Sequence, residues 1–214
     1  DPDWRVHGAL DRIVGLVRDW ALALGIPGLV AEVVRVNDRT PLLLVEVPAT
    51  DSATGDTVVL YGHLDKQPDG SGWSPGRGPW AAVREGDRLY GRGTADDVYA
   101  VCAYLVALKA LCECGGTYSR CLALIETCEE SGSPDLPAHL DALAGRLGSP
   151  SLVIALDAAA GDYDRLWVTT SLRAVVDCTL RVEVLALPYH CGMASGIVPS
   201  SFRIIRSLLS RLED

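Results

Sequence analysis

No apolar run in the 214-residue sequence is long enough to cross a bilayer; the longest, residues 98–108, is about half of the roughly 20 residues that a spanning helix needs. No basic start followed by an apolar stretch and a small-residue cleavage site marks a secretion signal. Basic residues are in short supply, with 19 Lys and Arg against 28 Asp and Glu and a formal charge of −9. That balance argues against nucleic acid, because phosphate binding draws on clustered Lys and Arg. There is no C-x-x-C pair among the seven cysteines, and several of them sit in apolar segments, as Cys102 does. Reduced thiols in a cytoplasmic protein are the expectation, rather than a disulfide framework. Neither an internal repeat nor a low-complexity tract interrupts the chain, and 49% hydrophobic with 22% charged residues excludes a disordered polymer.

What is present is an alternation of helix and strand patterns. Apolar residues at three- and four-residue steps over 10–24 predict an amphipathic helix that stops near Gly25 and Pro27. Residues 30–36 and 42–47 read as strands, and 57–61 as a short buried one. The Gly- and Pro-rich stretch 66–79 is loop, and 80–90 with Gly86-Asp87 at its middle is a hairpin. A long helix follows over 95–112, then a strand over 120–126, a helix over 134–147 and a buried strand over 151–156. Residues 166–172 and 174–185 are strand-like, and 199–212 closes the chain as an amphipathic helix. The fold class this predicts is α/β, a mostly parallel sheet with helices on both faces.

An open α/β sheet places its ligands at the carboxyl ends of its strands. Each of those ends here supplies a histidine or a carboxylate. The 57–61 strand runs into Gly62-His63-Leu64-Asp65, Gly91-Arg92-Gly93-Thr94-Ala95-Asp96-Asp97 precedes the long helix, the 120–126 strand leads to Glu129-Glu130-Ser131-Gly132, and the 151–156 strand leads to Asp157. Singly, each has a plainer explanation: a hydrogen-bonded His-x-Asp pair, an N-terminal helix cap in Asp96-Asp97, solvated loop charge in Glu129-Glu130. Together, four carboxylates and an imidazole at one edge would repel and stay hydrated unless cations held them, and divalent metals accept such O and N ligands. An extended backbone puts His63 and Asp65 on one side, so Asp65 can take a hydrogen bond from the second imidazole nitrogen and fix the tautomer of a ligating His63. Of two neighbouring glutamates on a turn, one can bind metal while the other holds a water as general base.

The three motifs, with Ser133 after the third, resemble the co-catalytic zinc metallopeptidases: carnosinase-like dipeptidases, acetylornithine deacetylase, succinyl-diaminopimelate desuccinylase and glutamate carboxypeptidase. The likeness runs in order from about residue 8 to the end, and Lys66-Gln67-Pro68 and the stretch 163–173 look most like the dipeptidases. The resemblance implies two Zn²⁺ ions, with Co²⁺ or Mn²⁺ as substitutes. His63 and Asp157 would bind one ion and Glu130 the other, Asp96 would bridge them, Glu129 would be the base and Asp65 would orient His63. His190 would stabilise an oxyanion across a homodimer formed through a lid domain. The substrate would be a small peptide or an N-acyl amino acid, cleaved at its amide.

Family members are longer, and their last metal-ligand histidine lies near the C-terminus. Residues 1–177 are therefore expected to be the N-terminal part of a catalytic domain, and 178–214 the start of an inserted α+β lid. Asp1 in place of Met fits the same expectation. Of the other histidines, His7 and His139 are expected to be structural or exposed. The alternative is a truncated or degenerate relative that binds metal in part and does not catalyse alone. A Cys-His hydrolase built on His190-Cys191 is disfavoured, since sequence neighbours rarely reach each other. Nucleotide binding at Gly76-x-Gly78 or Gly91-x-Gly93 lacks the third glycine of the fingerprint.

Overall fold

Leu42, Leu43, Leu44, Val45 and Val47 are all 0–1% exposed, although they lie on one strand and must alternate in direction. A run buried on both sides demands a layer on each face, and that is how the chain folds. The computed structural model describes residues 3–50, 55–158, 160–162 and 164–213; Asp1 and residue 163 of the 163–173 stretch fall outside them. There are two compact units, one up to Arg165 and one from Leu166 onward. The domain boundary expected at residue 178 lies inside the second.

In chain order the elements are helices α1 (Trp4–His7) and α2 (Ala9–Ala23), strands β1 (Val30–Val34), β2 (Leu42–Val47), β3 (Thr57–His63), β4 (Val83–Glu85) and β5 (Arg88–Tyr90), helix α3 (Tyr99–Glu113), strand β6 (Arg120–Glu126), a 3₁₀ turn at Glu129–Ser131, helix α4 (Leu136–Leu147) and strand β7 (Leu152–Ala155). Helices α5 (Cys191–Ala194) and α6 (Ser201–Glu213) belong to the second unit. No helix among the described residues is long and apolar enough to cross a membrane.

The main sheet has the order β1-β2-β6-β3-β7. On one face, Leu43, Val45, Val47, Leu60, Ala123 and Ile125 pack with Val14, Val17 and Ala21 of α2 and Ala100, Val101, Leu105 and Leu108 of α3. On the other, Leu42, Leu44, Val59, Leu122 and Leu124 pack with Leu143 of α4. Residues adjacent in β2 thus go to opposite layers, as the period of two requires.

The α/β class with helices on both faces holds, but the sheet is mixed rather than mostly parallel. β6–β3 and β3–β7 are parallel, whereas β1–β2 and β2–β6 are antiparallel. The link from β1 to β2 is too short for a crossover and turns back as a hairpin, helped by Asn37 at φ 53°. The parallel half carries the strand ends of interest. β3 runs two residues further than its apolar run, so that His63 is its last residue, opposite Glu126 of β6. The long helix starts at Tyr99, not at 95, because residues 95–98 form the irregular segment bearing Asp96 and Asp97. The short helix α1 was not expected from the sequence.

No strand forms at 166–172 or 174–185 among the described residues. Their apolar side chains are open to solvent, with Leu166 91% and Val176 93% exposed. Alternation marks a chain able to join a sheet, but a strand exists only with a ladder to pair in. The amphipathic helix at the end is present as α6, with Phe202 and Leu212 exposed.

Tyr104 of α3 ties the ends of β3 and β7. Its hydroxyl lies 2.8 Å from the Tyr61 carbonyl and 3.0 Å from that of Ile154, and accepts the Leu156 N–H at 2.9 Å. Tyr104→Phe leaves these groups without that partner, and we expect a loss of about 1–3 kcal/mol of unfolding free energy, read from urea denaturation. An unchanged midpoint would show that the hydroxyl is dispensable.

Candidate metal centre

The imidazole of His63, with its side chain fully buried, is the centre of the site. On its Nδ1 side stand the Asp65 carbonyl at 3.2 Å and the Asp65 carboxylate at 3.5 Å. On its Nε2 side stand Asp96 at 3.1 Å and Glu129 and Asp157 at 3.9 Å each. One ligand atom each from His63, Asp96 and Asp157 lies within 4.8 Å of the others. The four carboxylates come from the end of β3, the segment before α3, the turn after β6 and the residues after β7. Parallel pairing of β3 with both β6 and β7 is what brings three of these to one edge.

Two acids hold this geometry from behind. Asp65 accepts hydrogen bonds from the Glu129 N–H at 3.1 Å and the Glu130 N–H at 2.9 Å, so the carboxylate facing His63 also anchors the glutamate turn. Burial alone would push the Asp65 carboxyl up, but the His63 hydrogen bond, the two amides and the His63 charge outweigh it and hold it below its usual range. Asp97, fully buried, accepts the His63 N–H at 3.3 Å and the Ala100 N–H at 3.1 Å, and burial raises its carboxyl. The capping explanation of Asp96-Asp97 is therefore true of Asp97, while Asp96 is free to face the imidazole. Gly62 makes this possible, since a Cβ there would sit 2.9 Å from both Asp97 Oδ2 and Ala100 Cβ.

Sequence reasoning missed Asp97, Lys66 and Glu126 as supports. Lys66 donates from Nζ to the carbonyls of Asp65, at 3.0 Å, and of Asp97, joining the two acidic segments. Glu126 is 1% exposed and accepts from Tyr61, Ser133 Oγ and Cys128 Sγ, which fixes both ends of the glutamate turn. A carboxylate closing the apolar run of β6 was the available signal for it.

The remaining candidates have other partners. The Glu130 carboxylate accepts from Gln67 Nε2 at 2.7 Å. His190 lies in the second unit, where its Nδ1 accepts the Gly192 N–H at 3.2 Å as the cap of α5. His139 is a core residue, 1% exposed and 2.9 Å from the Thr40 carbonyl through Nε2.

Electrostatics decides whether the donor set suits a metal. Desolvation would lower the His63 pKa, yet the hydrogen bond to Asp65 and the charges of Asp65 and Asp157 push it up to about 9. In the metal-free chain an imidazolium thus stands among these carboxylates, with the Lys66 amino group also in their field. Glu129 is raised by burial and by Asp157, Glu130 and Asp65, with His63 partly opposing. One imidazole and several carboxylates fit zinc, cobalt or manganese, and a divalent ion would replace the His63 proton.

The family model described as "Peptidase family M20/M25/M40" matches residues 59–177, more than half of the sequence and all of the site apart from His190. The chain belongs to this family. Among curated proteins it is 42% identical over 78 residues to succinyl-diaminopimelate desuccinylase of Gluconobacter oxydans, covering 36% of this chain and 19% of that protein. It is 29% identical over 187 residues to cysteinylglycine-S-conjugate dipeptidase of Corynebacterium striatum, covering 84% of this chain and 39% of that protein. Human carnosine dipeptidase 1 superimposes with a TM-score of 0.62 and 25% identity over 74% of this chain and 35% of its own. The chain thus spans well under half of the length of these relatives.

Because the proton must leave His63 before an ion binds, zinc affinity is expected to climb with pH until about 9 and to level off above it. The sign for folding is opposite. A raised imidazole stabilises the metal-free chain below its unfolded pKa, and that contribution is lost as pH passes the folded value. Calorimetric zinc titrations at several pH values, with thermal melts in chelator, check both; a flat affinity would remove His63 from the ligand set. Asp65→Ala should weaken zinc binding by roughly 10- to 100-fold while the chain stays folded.

Proposed function

We propose that this chain carries the catalytic half-site of a metal-dependent hydrolase that cleaves the amide of a dipeptide or an N-acyl amino acid. The single observation that carries the proposal is the convergence of His63, Asp96 and Asp157 within 4.8 Å, with Asp65 on the far side of the imidazole. His63 and Asp157 would hold one Zn²⁺, Glu130 a second, and Asp96 would lie between them. When bound, such ions polarise a carbonyl oxygen and lower the pKa of water.

The protein's own groups supply the rest. Glu129, 3.9 Å from His63 and raised by its surroundings, is poised to take a proton at its carboxylate and return it to the departing amine. Asp65 keeps the His63 ring oriented so that Nε2 faces the acids. The second unit supplies His190 as an oxyanion donor, and a homodimer through that unit would bring it to the substrate. Organisation of the site by Asp65 and Asp97 before any substrate arrives means that little rearrangement opposes the reaction.

A second reading is that the chain binds one ion and does not turn over alone. The pairing of Glu130 with Gln67, away from the His63 cluster, favours it. Zinc calorimetry separates the two by stoichiometry, two ions against one. Hydrolysis of a dipeptide panel with added zinc tests catalysis, with Glu129→Gln as the control. Turnover no greater than that control would end the claim that this chain is itself active.

A further inference from the structure

Lys66 lines the same cavity as Asp65, Gln67 and Glu130, beside the metal centre. Its Nζ is fixed at two points, the Asp65 carbonyl at 3.0 Å and the Asp97 carbonyl. Both acceptors are neutral, and no single carboxylate among the described residues takes up the ammonium. Its charge is shared instead. Burial pulls the Lys66 pKa down, and the charges of Asp97, Asp65, Asp96 and Glu130 all oppose that pull. Room for the stem comes from Gly93, where φ is 79° and a Cβ would run into Lys66 Cδ and Cε. An ammonium on a flexible stem is ordinarily a mobile charge; anchored at two carbonyls, this one is fixed among the acids.

The donors are distributed unequally around this charge. Among the described residues, His63, Asp96 and Asp157 are the one group whose ligand atoms lie within 4.8 Å of one another. Glu130 is not in that group. Its carboxylate accepts from Gln67 Nε2 at 2.7 Å, and its carbonyl lies 3.4 Å from the same nitrogen. A neutral amide orients the Glu130 carboxylate but leaves its negative charge in place. We propose that the Lys66 ammonium is a resident cation on the Glu130 side of the centre, and that it sets how weakly a divalent ion is held there. The proposal deepens the hydrolase reading, on which it rests for the role of Glu130 as a donor. It makes the two ion positions unequal for a physical reason. An ion at His63 displaces a proton, whereas an ion at Glu130 must share its acids with a fixed ammonium.

The test is calorimetric zinc titration of the 214-residue chain, with Lys66→Gln and Lys66→Arg beside the wild type. Glutamine keeps a donor for the carbonyls and drops the charge, and arginine keeps the charge. In the wild type the second binding event should be at least roughly tenfold weaker than the first, the scale expected for a unit charge several ångströms from a divalent ion. Lys66→Gln should tighten that second event by a similar factor and change the first less, and Lys66→Arg should follow the wild type. Two equal events in the wild type overturn the proposal, and that comparison needs no variant to fold. So does a second event that Lys66→Gln leaves unchanged, one missing from both chains, or a gain that Lys66→Arg shares. The hydrolase reading fails separately. Unequal events governed by Lys66, with turnover no greater than the Glu129→Gln control, sink that reading and leave the resident cation standing. Turnover above the control with two equal events does the reverse.

Discussion

The carboxylate of Asp65 is the contact on which the rest of the centre depends. One side of it faces the His63 ring and the other takes two backbone amides from the turn that carries Glu129 and Glu130. This reach is available because β3 and β6 run parallel with His63 opposite Glu126, so that two residues onward on one strand meet three or four onward on the other. A buried carboxylate is costly unless its oxygens are met by donors, and here the donors are the parts of the site that must be held still. Removing Asp65 would free a ring and a turn at once.

The adjacent acids divide their work in a consistent way. In Asp96-Asp97 the second turns inward to the backbone of His63 and Ala100, and the first faces the imidazole. In Glu129-Glu130 the first faces His63 and the second meets Gln67. Neighbouring side chains on a turn diverge, so a pair of like charges is separated by the backbone rather than forced together. In the aspartate pair the capping explanation belongs to Asp97, and Asp96 is left facing His63.

That division was beyond the reach of the sequence, and the reason is physical. The apolar runs of β2, β3 and β6 and the turn residues around them announce buried strands, and the motifs at their ends announce a convergence of acids on His63. Which member of an acidic pair caps a helix is settled by a backbone path of a few ångströms, here by the close approach at Gly62. The mixed sheet follows from the hairpin between β1 and β2, a matter of loop length that the α/β pattern does not display. Residues 166–185 carry the alternation of strands, yet pairing is a relation between segments, and no single segment contains it. Glu126 was hidden for a related reason, since its role lies in three donors remote from or beyond its own strand.

One rule accounts for both charged features of the first unit. Carboxylates gathered at one edge call for a cation; the buried imidazole of His63 stands among them, and a bound divalent ion would take the place of its proton. Such a gathering would also repel any ligand that is itself an anion. Lys66 is a second positive group at this edge: its Nζ donates to the carbonyls of Asp65 and Asp97, and the charges of Asp97, Asp65, Asp96 and Glu130 act on it. Gly93 leaves the space that the Lys66 stem fills. That glycine therefore serves electrostatics more than flexibility: it lets a positive charge reach the acidic centre and tie its two acidic segments together.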